Sequence, residues 1–114
     1  MNKKAREGDV LGRLEQLIQQ RITDGGEESY VAQLVRDGGE PILKKLGEEA
    51  IETVIAAVGR DTTGTRDEAA DLLYHLLVVL HMKGVSVEDV LSELERRTAQ
   101  SGIAEKASRK DGNA

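Results

Sequence analysis

The chain has no cysteine, no phenylalanine and no tryptophan, one proline and two tyrosines in 114 residues. Without cysteine there is no disulfide framework and no thiolate metal site, so any metal must be held by oxygen or imidazole. With tyrosine as the sole aromatic, the core has to be built from Leu, Ile, Val and Ala, which suits packed helices better than a β-sandwich. Excess positive charge is also missing: the formal net charge is −5, which argues against nonspecific nucleic-acid binding by the body of the protein. The basic N-terminal stretch from Met1 to Asp9 lacks a following apolar segment, so no secretory signal is visible. The longest apolar run, near Leu72 to Met82, is interrupted by His75 and His81 and is too short to span a bilayer. The expectation is a cytoplasmic protein that binds neither nucleic acid nor membrane.

What is present is helical periodicity bounded by turn signals. The length suits one domain, residues 1–114, with a tail from about residue 100 where the periodicity fades. Asp9 can cap a first helix with Val10, Leu11, Leu14, Leu17, Ile18 and Ile22 on its buried stripe, ended by Thr23-Asp24-Gly25-Gly26. Ser29 is placed to cap a short second helix that closes at Asp37-Gly38-Gly39. Pro41 suits the start of a third helix running to about Val58, with Gly59 at its end. Arg60 to Thr65 reads as a polar connector, short enough to make the third and fourth helices antiparallel neighbours. The fourth helix ends at Lys83-Gly84. Ser86 caps a fifth, with Glu88 and Asp89 in its first turn and Arg96-Arg97 in its last, as the helix dipole favours. The fold expected is all-α, a bundle of about five helices.

Two acidic pairs stand out. Glu49 and Glu52 are three residues apart, as are Glu68 and Asp71, a spacing that puts each pair on one helix face. One pair on each of two helices is what a hard cation such as Mg²⁺ asks of an all-helical protein, since it takes oxygen ligands and keeps open positions for water and phosphates. At about 100° per residue Glu68, Asp71 and His75 share a stripe. Leucines and valines cover nearly all the rest of that helix, which marks it as buried. Carboxylates on such a helix must be paired, hydrogen-bonded or metal-bound. A helix apolar around its girth also has too few partners in a single small bundle, so a homodimer is expected, with the third and fourth helices at its interface and Val78 among the positions that matter for assembly. The first pair taken alone looks different. Leu43, Leu46, Ala50, Ile51, Val54 and Val58 form an apolar face, and Glu48, Glu49 and Glu52 lie roughly opposite, the pattern of a solvated helix face.

Together, E-E-x-x-E and, fifteen residues on, E-x-x-D resemble the signature of the all-helical, MazG-like nucleoside-triphosphate pyrophosphohydrolases. Within that superfamily the chain is most similar to the phosphoribosyl-ATP pyrophosphatase family. The residues that carry this are Ser29-Tyr30 with Leu34, the run Ile42 to Glu49, Ala69 to His75, and the tail Gly102-Ile103-Ala104-Glu105-Lys106-Ala107-Ser108-Arg109.

The resemblance implies a MazG-like bundle completed by dimerisation, and Mg²⁺-dependent cleavage of phosphoribosyl-ATP between the α and β phosphorus atoms, giving phosphoribosyl-AMP and pyrophosphate. It implies Glu49, Glu52, Glu68 and Asp71 as metal ligands. Glu48, Glu49 and Glu52 are then catalytic candidates, with Glu48 near enough to orient water. For Lys45 two readings stand: a phosphate contact, or a helix-surface pair with Glu49; Lys44 is read as the latter kind, a pair with Glu48. For Lys106 and Arg109 the choice is between a tail that folds over phosphates and ordinary solvated charge. His75 is read as a hydrogen-bonded core residue and His81 as structural. Tyr30 and Tyr74 are read as buried with a bonded hydroxyl, stacking on a base being the alternative. Gly47 is read as permitting close helix approach. A house-cleaning hydrolase of other nucleoside triphosphates shares the acidic motif, and a non-catalytic helical dimerisation module is the reading from outside enzymes.

Overall fold

The computed structural model describes residues 9–25, 29–36 and 38–99. Five helices follow in order among these residues: α1 (Val10–Asp24), α2 (Tyr30–Arg36), α3 (Glu40–Val58), α4 (Thr62–Met82) and α5 (Val87–Thr98). No strand occurs among the described residues. The expected all-α architecture is therefore what forms. The tail bearing Lys106 and Arg109 lies outside the described residues.

Several ends are made as the residue types dictate. The Ser29 hydroxyl accepts the N–H of Ala32 at 3.2 Å and starts α2. Pro41 sits in the first turn of α3, where a missing N–H costs nothing. At α5 the Ser86 hydroxyl accepts from Asp89 N–H while the Asp89 carboxylate accepts from Ser86 N–H, a reciprocal capping box. Asp9 departs from expectation: it precedes α1 but is in a helical conformation, and its side chain accepts no capping bond. The connector between α3 and α4 is also shorter than the polar composition suggests. Asp61 accepts the N–H of Gly64 at 2.8 Å, so the helix begins at Thr62 and absorbs all of the polar run after Asp61.

Two helix ends use one motif with different residues. After α4, Val85 N–H donates to Leu80 C=O and Gly84 N–H to His81 C=O, with Gly84 in the left-handed region at φ 71°. After α3, Asp61 N–H donates to Ala56 C=O and Arg60 N–H to Ala57 C=O, and here the left-handed position is Arg60, at φ 61°. Gly59, expected to close this helix, keeps a right-handed conformation one position earlier.

The core draws on every helix: Ile18 from α1, Val31 from α2, Ile42 from α3, Leu77 and Val78 from α4, and Val87 from α5. The most extensive packing is between α3 and α4, joined by three residues, and α5 rests against α1. Val78, read from the sequence as an interface position, is fully buried within its own chain.

The burial of α3 reverses the sequence reading. Its buried residues are Ile42 and Glu49. Of the apolar face read from the sequence, Leu46 and Ala50 are half-buried, but Leu43, Ile51, Val54 and Val58 are 47%, 62%, 61% and 78% exposed, and neighbouring Ile55 is 64% exposed. Helical periodicity locates an apolar face without saying which neighbour covers it, and in this chain α4 packs on the acidic side. Similarly, α4 is not enclosed all round: Leu73 is half exposed, and Asp71 is exposed. Gly47 is exposed and a Cβ there would meet nothing within 4 Å, so it marks no close approach within the chain. No single helix among the described residues is long and apolar enough to cross a membrane.

Candidate active site

Packing the acidic side of α3 against the start of α4 brings together three of the four expected ligands. Glu49, Glu68 and Asp71 each present a carboxylate oxygen, and these oxygens lie within 4.8 Å of one another. Glu49 is only 4% exposed, and Glu68 is partly buried. One oxygen of each, Oε2, is buried with no hydrogen-bond partner among the described residues. Buried acceptors without donors are costly unless something else satisfies them, and a hard cation does so for all three groups at once. The donor set of carboxylate oxygens fits such an ion and excludes a soft one.

Glu52, the fourth expected ligand, is exposed but close to the cluster. The Glu68 carboxyl is pushed up to about 7, first by sharing a hydrogen bond with Glu52, then by loss of water, then by Glu49 and the charges of both. Carboxylates this close cannot all ionise without a counter-charge, so a proton held at Glu68 substitutes for a cation. Glu48 is exposed, and its charge is felt at Lys45.

Lys45 forms an ion pair with Glu49 at 3.5 Å, one helical turn apart, while its side chain remains 42% exposed. That contact, with the charge of Glu49, raises the Lys45 ammonium above its ordinary value. Lys44 is exposed and makes no ion pair among the described residues, so its expected pairing with Glu48 does not form.

His75 is buried on α4, with Nδ1 2.7 Å from the backbone carbonyl of Asp71 and Nε2 2.9 Å from the Tyr30 hydroxyl. The carbonyl can only accept, so Nδ1 carries the proton, Nε2 is the acceptor, and Tyr30 donates. This is the hydrogen-bonded core histidine expected from the sequence. Tyr30 itself differs from expectation: its hydroxyl is bonded, but the residue is 49% exposed. Its edge meets His75, as does that of Tyr74, with ring centroids 6.0 and 5.6 Å apart. His81 lines a shallow hollow with Glu15 and Ser86 and takes no part in the acidic cluster.

A residue that the sequence did not single out is Arg21, in the last turn of α1. It lines an open hollow with Gly25, Ser29, Tyr30, Val31 and Tyr74. Nothing local in the sequence distinguishes it from any other basic residue at a helix C-terminus; only the approach of α1 to α2 and α4 puts it beside Tyr30.

Fold and site thus define a class: an all-helical protein with a partly buried carboxylate cluster suited to a hard cation, where two neighbouring helices meet. The family described as "Phosphoribosyl-ATP pyrophosphohydrolase" matches residues 11–98. Among curated relatives, the phosphoribosyl-ATP pyrophosphatase of Agrobacterium fabrum (strain C58 / ATCC 33970) is 54% identical over 99 residues, covering 87% of this chain and 92% of the relative. That of Rhizobium meliloti (strain 1021) is 54% identical over 102 residues, covering 90% and 95%. That of Sinorhizobium medicae (strain WSM419) is 52% identical with the same coverage. The chain belongs to the phosphoribosyl-ATP pyrophosphohydrolase family.

Proposed function

We propose that this chain hydrolyses phosphoribosyl-ATP to phosphoribosyl-AMP and pyrophosphate, the second step of histidine biosynthesis, with Mg²⁺ as its cofactor. The observation that carries the metal-dependent part is the trio Glu49, Glu68 and Asp71, two of whose carboxylates bury an oxygen with no donor among the described residues. Glu49, Glu52, Glu68 and Asp71 would hold the ion. Bound there, Mg²⁺ supplies positive charge to the phosphate oxygens, the main requirement of a reaction governed by positioning and electrostatics.

The remaining work falls to the chain's own groups. A water oxygen adds to phosphorus, the bond to the bridging oxygen breaks, and pyrophosphate leaves; the proton from water passes to a carboxylate of the cluster. Glu48, Glu49 and Glu52, all on the acidic side of α3, are the candidates for orienting that water. Lys45, tethered to Glu49 but exposed, is placed to meet an incoming phosphate oxygen. Lys106 and Arg109 would add phosphate contacts from the tail, and deletion of residues 104–114 is expected to raise KM for phosphoribosyl-ATP while leaving the melting temperature nearly unchanged.

The working form is a cytoplasmic homodimer. What supports the dimer is the run of exposed apolar side chains on α3, Ile51, Val54, Ile55 and Val58, together with Leu73 of α4, since clustered exposed apolar side chains mark interaction surfaces.

The test is pyrophosphate release from phosphoribosyl-ATP, ATP, dUTP and dCTP, with and without Mg²⁺. Preference for phosphoribosyl-ATP and loss of turnover on chelation are expected. Full turnover after exhaustive chelation rejects the metal assignment, and preference for dUTP or dCTP moves the chain to a house-cleaning role.

A further inference from the structure

The hollow lined by Arg21, Ser29, Tyr30 and Tyr74 has a volume of about 390 Å³ and, among the described residues, no carboxylate in its lining. Arg21 and Ser29 supply its donors toward an anion or a sugar, since the Tyr30 O–H is committed to His75. Arg21 brings a permanent positive charge and forms no ion pair among the described residues. The Ser29 oxygen is already accepting from Ala32 N–H, which leaves its own O–H to donate outward. The hollow is joined to the acidic cluster by unbroken contacts: the Tyr30 hydroxyl to His75 Nε2 at 2.9 Å, and His75 Nδ1 to the carbonyl of Asp71 at 2.7 Å. Tyr30 is thus held by a buried partner while remaining half exposed, and it stands between the acidic cluster and the hollow that Arg21 lines.

We infer that this hollow is the subsite for the phosphoribosyl group that distinguishes phosphoribosyl-ATP from ATP, with Arg21 gripping its terminal phosphate and Tyr30 and Tyr74 walling the ribose. The inference rests on the function proposed above. That substrate has two anionic ends. The triphosphate belongs with a metal at the carboxylates, which repel any anion lacking one. The phosphate monoester on the second ribose needs a site with positive charge of its own, and the guanidinium fork of Arg21 matches it in geometry. Two aromatic walls would also accept a purine, so the experiment must separate the sugar phosphate from the nucleotide portion common to ATP.

The experiment pairs kinetics with direct binding, using the full chain. For wild type, Arg21→Ala and Arg21→Lys, KM and kcat are measured with phosphoribosyl-ATP, the inhibition constant of ATP is measured as a competitor, and ribose 5-phosphate alone is titrated by calorimetry. Arg21→Ala should raise KM about tenfold, with kcat within about twofold, and leave the ATP inhibition constant unchanged; Arg21→Lys should fall between. Ribose 5-phosphate binding should be lost in Arg21→Ala. Equal weakening for phosphoribosyl-ATP and ATP overturns the inference, because the hollow then holds the shared nucleotide, and so does no change for either. Failure of the wild type to release pyrophosphate from phosphoribosyl-ATP counts against the proposed function instead, and the ribose 5-phosphate titration then decides the hollow by itself.

Discussion

Glu49 on α3 and Glu68 on α4 each bury a carboxylate oxygen that no donor among the described residues reaches, and Asp71 completes a trio with oxygens within 4.8 Å. The arrangement is destabilising for the metal-free chain and favourable once a cation is bound. Mg²⁺ should therefore raise the melting temperature. At a hundredfold excess over its Kd the stabilisation amounts to about 2.7 kcal/mol, a shift of several degrees in a domain of this size. Glu49→Gln should remove most of the shift and reduce pyrophosphate release by at least about a hundredfold, while the helical circular-dichroism spectrum persists. Loss of the spectrum together with activity would assign Glu49 to folding.

The raised Glu68 carboxyl gives the metal-free protein a distinctive pH dependence. Its value moves from 4.5 to about 7 on folding, so between those limits the folded state holds a proton that the unfolded state has released. Stability from this group is complete below about 4.5 and is lost as pH rises to about 7. Denaturant unfolding in the presence of a chelator, repeated from pH 5 to 8, should show stability declining over that window. Saturating Mg²⁺ should flatten the decline, because the cation takes over the role of the proton. At the other extreme, Glu93 is held down to about 2 by its bonds to Arg96 and Arg97, a contribution present above about 4.5 and lost as pH falls through 2.

Assembly should depend on the exposed side of α3 rather than on Val78. Ile55→Asp places a charge on a side chain that is 64% exposed in the single chain, so it should cost little within the fold. In a dimer that buries this face the same change leaves an unpaired buried charge. Sedimentation should find the wild type dimeric at micromolar concentration and Ile55→Asp shifted to monomer with its helical content kept. A wild type that sediments as a monomer rejects the dimer outright.

The two helix ends of like geometry supply a test of backbone physics. Arg60 occupies at φ 61° the left-handed position that Gly84 occupies at φ 71°. A side chain there costs about 1 kcal/mol, partly offset because glycine gains freedom in the unfolded chain. Arg60→Gly should raise stability by up to about 1 kcal/mol, and Gly84→Ala should lower it by about the same amount. Melting curves of the two variants check both signs.

The sequence by itself determined the described helices, most of their ends and which acids α3 and α4 carry at helical spacing. Capping at Ser29 and Ser86, the proline in the first turn of α3 and the apolar repeats act over a few residues, so local chemistry is enough to place them. The motif spacing likewise put Glu49 with Glu52 and Glu68 with Asp71. Which side of α3 faces inward was not legible. Leu43, Ile51, Val54 and Val58 belong to the apolar face the sequence shows, yet they are exposed in the single chain while Glu49 is buried, because the energy of burial depends on which surface a neighbour presents and not on the stripe alone. The Tyr30–His75 bond, spanning 45 residues, and the capping of Val87 N–H by the Glu15 carboxylate at 2.8 Å, spanning 72, arise only when separate helices meet. The place of Arg21 beside Tyr30 has the same origin. Periodicity and capping are short-range and leave their mark in sequence; the pairing of distant side chains is fixed by helix packing, and only the tertiary structure decided it.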